Sequence, residues 1–306
     1  MNLAVDNTML ECWKRCLQYG RFWQVDSLRP QRVATALTMG SAIHAGLAAY
    51  LNGEPEHEAL AKAVCLWIEP DPLDEEWRSQ THLMLATQAG IESLKQWGAL
   101  PIEVRGKRLV EICAAAPFPI TEVTKDAITR AGFDGVTYVG NLDAIVSDQG
   151  VTWVVDHKTD SYSFRKGPPP SIDPAFWGRF QLDAGLIGYQ WLAQHYVEVA
   201  GVIVHGISFP RKLNPSLGIA QLCTAKQTYQ FGHLLDSWLV ETDHYIYQMA
   251  EWMNSPAPPK NTESCFQYGK RCMYYQLCAA GNSEVVENLK TAFRKEEWNP
   301  QKRGKE

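Results

Sequence analysis

Two short stretches limit what this chain can fold into more than anything else in its 306 residues. Gly140 to Val146 and Trp153 to Thr159 are rich in β-branched and apolar residues and bounded by turn formers, the signature of strands. Ser147, Asp148, Gln149 and Gly150 between them read as a hairpin connection with glycine at its tip. A hairpin centred on Gln149 and Gly150 sets Asp143 opposite Asp156. Residues two apart on a strand share a face, so Lys158 joins Asp156 there. Facing carboxylates repel when both ionise, unless a cation lies between them. A hard divalent ion such as Mg²⁺ or Mn²⁺ prefers such oxygen ligands. An exposed hairpin can also carry Asp and Lys as a plain cross-strand ion pair of small worth. The run of Val151, Trp153, Val154 and Val155 reads as buried, however, and charges at the end of a buried strand need a reason.

The rest of the chain supplies walls for such a ribbon. Thr8 and Glu11 read as a capping box opening an amphipathic helix, Thr8 to Tyr19, with Met9, Trp13, Cys16 and Leu17 on one face. Thr38 to Leu51 reads as a second helix crowded with small residues, and its two glycines suggest close packing. His44 lies in it. Alone it reads as a core histidine; with Asp143 and Asp156 expected nearby it reads as a metal ligand. Glu58 to Ile68 and Asp74 to Trp97 predict a helical wall around Pro70-Asp71-Pro72. Arg108 to Ala115 predicts a strand carrying Glu111, which as a lone residue could simply face outward.

After the hairpin, Ser161 to Pro174 predicts a long loop with Arg165, Lys166 and three prolines. Pro174 to Tyr196 predicts one helix with the apolar stripe Phe176, Phe180, Ile187 and Trp191. Val197 to Phe209 and Ile219 to Cys223 read as strands, and Tyr229 to Asn254 as a long helix. Pro256-Ala257-Pro258-Pro259 then breaks the chain, and the charged stretch 283–306 is expected to be disordered.

A hydrophobic content of 45% is enough for a sizeable core. Net charge is −5, which excludes a bulk-basic nucleic-acid binder but not local contacts from clusters such as Lys14 with Arg15, or Lys270 with Arg271. Met1 to Leu10 has no basic stretch of the kind that opens a signal peptide, and no apolar run is long enough to span a membrane. A cytoplasmic protein without a membrane partner is therefore expected, and disulfides are rare there. The eight cysteines need another account. Cys12, Cys65, Cys113 and Cys223 sit in apolar contexts and read as buried thiols. Cys265, Cys272 and Cys278 fall close together after the proline break, beside Gly269, Lys270 and Arg271, and point to metal ligation.

His44 on a helix, Gly140-x-x-Asp143, and Asp156-x-Lys158 about a dozen residues on make a pattern that resembles the PD-(D/E)xK nucleases, in particular the RecB-type branch. That branch includes phage and bacterial RecB-like exonucleases and the CRISPR adaptation nucleases with an iron–sulfur cluster. The resemblance runs from about Met9 to Cys278. It implies an α/β fold: a mixed sheet flanked by helices, with a helical insertion at about 55–100 inside a nuclease domain of residues 1–255. A cysteine-bearing unit, 256–282, would pack back on the N-terminal helix. His44, Asp143, Asp156 and the His157 carbonyl would hold Mg²⁺ or Mn²⁺, Lys158 would be catalytic, and Glu111 would shape the site. The branch has a Gln-x-x-x-Tyr motif on the next helix; Gln181 matches, but Gly185 stands at the Tyr position and Tyr189 lies one turn on. Cys16 would join Cys265, Cys272 and Cys278 around a 4Fe–4S cluster, with structural zinc as the alternative. The implied activity is metal-dependent hydrolysis of DNA, single-stranded or with free ends, by an exonuclease of recombination, repair or phage DNA metabolism in a bacterial or phage-infected cell. Recombination or helicase proteins are the implied partners. A non-catalytic DNA-binding or assembly module, or a structural zinc protein, are the rival readings.

Overall fold

The computed structural model describes residues 1–31, 35–67, 79–160, 164–165, 170–267, 270–280 and 282–300. Half of the loop expected at Ser161 to Pro174, and the expected helix start at Asp74, lie outside these residues. The chain divides into two compact units. The first comprises Met1–Arg32, Ala115–Gly140 and Leu234–Glu306; the second comprises Val33–Ala114 and Asn141–His233. Neither unit is continuous in sequence.

The second unit is built on the hairpin. Val136–Asp148, of which residues 141–148 belong here, runs antiparallel to Val151–Asp160, with Ala144 opposite Val155 and Asp148 opposite Val151. Gln149 and Gly150 both adopt positive φ, the geometry of a two-residue turn whose twist matches that of the strands. Val202–Ser208 then adds in parallel to Val151–Asp160, and Cys223–Tyr229 closes the row antiparallel to it. Leu100–Pro101 pairs on the other side of the hairpin. The result is a mixed sheet.

Helices cover both faces of this sheet. Thr35–Leu51, Glu56–Cys65 and Gln80–Trp97 pack together, and Met39, Ile43, Leu47, Leu83 and Ile91 share one core with Ala144, Val155, Ile203 and Ile207. This is the alternation expected of strands with a buried face. The segment expected as an insertion, about 55–100, contributes Ala59, Leu83 and Ile91 to this core. Gly46 allows the close approach: a Cβ there would lie 2.6 Å from Thr87 Cγ2 and 3.0 Å from the Ala59 carbonyl oxygen. Ala184–Ala193 packs on the strands Val151–Asp160 and Val202–Ser208, with Phe176 and Trp177 against Gly206.

The expected single helix from Pro174 to Tyr196 is two. Pro174–Gly178 is capped by Asp173, and Ala184–Ala193 by Asp183, whose carboxylate accepts from Leu186 N at 3.0 Å. An aspartate that caps satisfies orphan amides only by starting a new helix, which interrupts the old one. The strand expected at Ile219 to Cys223 is also displaced. Pro215–Gln221 forms 3₁₀ turns, and the strand begins at Cys223.

In the first unit, Leu3–Val5 runs parallel to Val136–Tyr138. The first helix is Asn7–Arg15, and its cap is Asp6, not Thr8: the buried Asp6 carboxylate accepts from Met9 N at 2.7 Å. Glu122–Arg130 packs on Leu235–Met253, with Phe118, Tyr138 and Trp238 in mutual ring contact. The stretch expected to be disordered instead carries a helix, Ser283–Lys290, and a strand, Phe293–Lys295, that pairs with Leu28–Pro30. Trp298 packs on Trp23 at 4.8 Å between ring centroids. These few aromatic contacts anchor a segment whose composition is mostly charged. Residues 301–306 lie outside the described residues. Among the described residues no helix is long and apolar enough to cross a membrane.

Candidate functional site

Three side chains converge at the open end of the hairpin in the second unit. His44 reaches in from its helix, whose Gly40 passes close to Thr159 at the end of the strand. Its Nδ1 lies 3.3 Å from Asp143 Oδ1. Glu111 arrives from the neighbouring segment, where Leu109 O accepts from Ile145 N at 2.8 Å and so fixes the approach. Ligand atoms of His44, Glu111 and Asp143 all lie within 4.8 Å of one another. Glu111 has φ +51, a left-handed conformation that a residue with a Cβ adopts at a cost and seldom outside functional or turn positions.

The second oxygen of Asp143 is occupied as well: Oδ2 accepts the His157 backbone N–H at 2.7 Å. Asp143 therefore caps the end of the strand ladder. Asp156 is buried, and Lys158 two residues on lies 2.7 Å from its Oδ2. The residues expected to share a face do so, in contact.

The electrostatics follow from these distances. Burial opposes the His44 imidazolium, but the Asp143 and Asp156 carboxylates outweigh it and raise the group to about 9. Burial would raise Asp143, yet His44 and the His157 amide hold it well below the usual carboxylate range. Asp156 is pushed up by burial and by Asp143, against the pull of Lys158. Glu111 is raised to about 7 by burial and by Asp143. The partial burial of Lys158 opposes its charge, but Asp156 outweighs this and raises the group, so it stays cationic. A cluster with three carboxylates and a histidine in reach, one acid near neutrality, suits a divalent cation.

The gathered set differs from the expected ligands in one respect. Glu111 stands with His44 and Asp143, while Asp156 is turned to Lys158. The His157 side chain points away into the core, where its Nδ1 meets His205 Nδ1 at 2.9 Å. Both rings are buried, and burial drives both below the ordinary histidine value, His157 to about 4. Adjacent nitrogens at that distance require one donor and one acceptor, so the neutral rings adopt opposite tautomers at this contact. His205 was not singled out in the sequence; a histidine in the otherwise apolar run Val202 to Ile207 was the available signal. Gln181 lies exposed in the break between the two helices, and no hydrogen bond among the described residues joins it to Asp143, Asp156 or Lys158. Tyr189 is half-buried on the second of those helices.

Four cysteines gather in the first unit. Cys16 ends the first helix, and its Sγ accepts from Asn261 N at 3.3 Å. Cys265 and Cys272 flank a short hairpin in which Phe266 pairs with Arg271, and Cys272 N donates to Cys265 O at 2.8 Å. Cys278 lies on the helical turn Tyr275–Ala279. All four thiols are free. Burial raises Cys272 and takes Cys278 to about 11; ionisation of Cys16, Cys265 or Cys272 makes ionisation of Cys278 harder.

A family model described as the PD-(D/E)XK nuclease superfamily matches residues 8–279. A solved structure described as a "Putative exonuclease" from Eubacterium rectale is similar at 13% identity and a TM-score of 0.45, over 90% of this chain and 93% of that one. No curated protein matches the sequence.

Proposed function

We propose, from the premise that the chain belongs to the PD-(D/E)XK nuclease superfamily, that it is a divalent-metal-dependent nuclease of the RecB type that hydrolyses DNA from its ends. The observation that carries this reading is the convergence of His44, Glu111 and Asp143 beside the Asp156–Lys158 pair on one strand. His44, Glu111 and Asp143 would hold Mg²⁺ or Mn²⁺, with Asp156 completing the set; an imidazole ligand favours Mn²⁺. The ion would supply a water of lowered pKa and positive charge opposite the phosphate.

The chain's own groups do the rest. Asp143 is fixed by the His157 amide, so the carboxylate is set before substrate arrives. Lys158 keeps its proton at neutral pH and faces the same side as Asp156. From there it orients the attacking water or donates to the phosphate oxygens as negative charge grows on them. The water oxygen bonds to phosphorus, the bond to the leaving oxygen breaks, and the products are a phosphate monoester and a free hydroxyl. Gln181, from the break between the two helices, and Tyr189, from the second helix, would position the DNA strand.

For the cysteines we infer a 4Fe–4S cluster held by Cys16, Cys265, Cys272 and Cys278. What supports the reading is that all four lie in the first unit and that Cys16, Cys265 and Cys272 each act on the ionisation of Cys278.

The test is incubation with end-labelled linear and circular DNA, single- and double-stranded, with Mn²⁺, Mg²⁺ or chelator. Metal-dependent loss of the linear substrates is expected. Asp156→Asn and Lys158→Ala should each slow it by roughly 100- to 1,000-fold with little change in folding. Wild-type protein that cleaves nothing in either metal, or Asp156→Asn with near wild-type turnover, would overturn the assignment.

A further inference from the structure

We infer that Arg179 is a phosphate-binding residue that grips the DNA strand beside the phosphate being cleaved. The inference rests on the nuclease reading above and adds a substrate contact to it. Asp156, Lys158 and Asp160 alternate along one face of the strand Val151–Asp160. Arg179 Nη2 donates to Asp160 Oδ2 at 3.0 Å, so the guanidinium sits at the end of that same face. Two residues of strand separate Asp160 from Lys158, about 7 Å. That is comparable to the step between neighbouring phosphates on an extended strand.

Arg179 is held from several sides and still open. Its Nε donates to Phe176 O at 3.4 Å, and its guanidinium carbon lies 4.6 Å from the Phe176 ring centre and 5.5 Å from that of Phe180. Yet the side chain is 55% exposed, while the Asp160 carboxylate it touches is 9% exposed. Packing and one ion pair hold the guanidinium, and more than half of the side chain stays open to solvent. Such an exposed ion pair adds little to stability. A planar, pre-oriented fork of donors matches two oxygens of a phosphate, which a bare ammonium does not. The break between the two helices is what presents it: Asp183 starts the second helix anew, so Arg179 and Phe180 fall in the connecting segment.

The experiment compares Arg179→Ala and Arg179→Lys with wild type on two substrates, a long oligothymidylate and a dinucleotide with a single phosphate. With the long strand, Arg179→Ala should raise KM about tenfold with kcat nearly unchanged, and lower the slope of log affinity against log salt by about one. Arg179→Lys should recover part of the loss. On the dinucleotide, which has no neighbouring phosphate, wild type and variants should be equal, and thermal melting and Mn²⁺ affinity should not move. Equal KM on the long strand, or the same loss on both substrates, would overturn the inference. Binding of a fluorescein-labelled oligothymidylate to Asp156→Asn and to Asp156→Asn/Arg179→Ala separates this from the nuclease reading. Weaker binding of the double variant supports the phosphate contact even where wild type cleaves nothing; equal binding sinks it even where wild type cleaves well.

Discussion

In the second unit, Asp143 and Asp156 come from adjacent strands joined by a two-residue turn, and each acid has a partner: His44 and the His157 amide for one, Lys158 for the other. In the first unit, Cys16 and the 265–278 group come from segments about 250 residues apart, and burial above all, with the neighbouring thiols adding to it, makes Cys278 hard to ionise. The carboxylate site is held by the fold around it. The difference teaches that strand register alone holds the carboxylates together, whereas the four cysteines are joined across a long loop, which the proposed cluster would close.

The sharpest way to break this contrast is Cys272→Ser. Protein purified without oxygen should be brown and contain iron and sulfide, and the variant should lose both. Closing a loop of about 250 residues is worth roughly 5 kcal/mol on a chain-entropy estimate, so the variant should melt far earlier. Cleavage per folded molecule should persist. Metal-free, colourless wild type with Cys272→Ser equally stable would show that the thiols need no occupant.

A smaller effect tests the pre-set half. Gly46→Ala puts a Cβ against Thr87 and the Ala59 carbonyl, and should cost about 1–3 kcal/mol in urea unfolding despite the better helix propensity of alanine. Gly40→Ala, whose Cβ would lie 3.6 Å from Thr159 Oγ1, is the control and should be neutral or slightly stabilising. Equal stability of the two would mean that the His44 helix is not clamped.

The smallest effect is a titration. His44 is protonated up to about 9, so Mn²⁺ must displace a proton to bind there. Affinity should rise about tenfold per pH unit towards that value and level off above it. Below about 7, where Glu111 is protonated too, the slope should steepen. Calorimetric affinities that do not change with pH would remove His44 from the ligand set, whereas His44→Ala should flatten the upper part of the curve.

Much of the carboxylate site was legible because it is local. Gly150 marks the turn, the turn sets the register up to Ala144 opposite Val155, and that brings Asp143 and Asp156 to the same end of the hairpin. Glu111 was half legible: its strand could be read, its left-handed φ could not. The parting of Asp173 and Asp183 into two caps hid inside one apolar stripe, since periodicity counts the stripe and not the chain's change of direction. Asp6 lost to Thr8 on the sequence because the capping-box pattern ignores burial, which is what gives the Asp6 carboxylate its hold on Met9. The ordering of 283–300 rests on contacts such as Trp298 with Trp23 that composition does not show.

The interleaving of the two units has a consequence for synthesis. A ribosome has made every residue of the second unit once it passes His233, whereas the first unit still lacks Leu234 onward. At about 5–20 residues per second, Cys278 follows roughly two to nine seconds later. The nascent chain thus owns His44, Glu111, Asp143 and Asp156, the ligands proposed for Mg²⁺ or Mn²⁺, before Cys265, Cys272 and Cys278 are made.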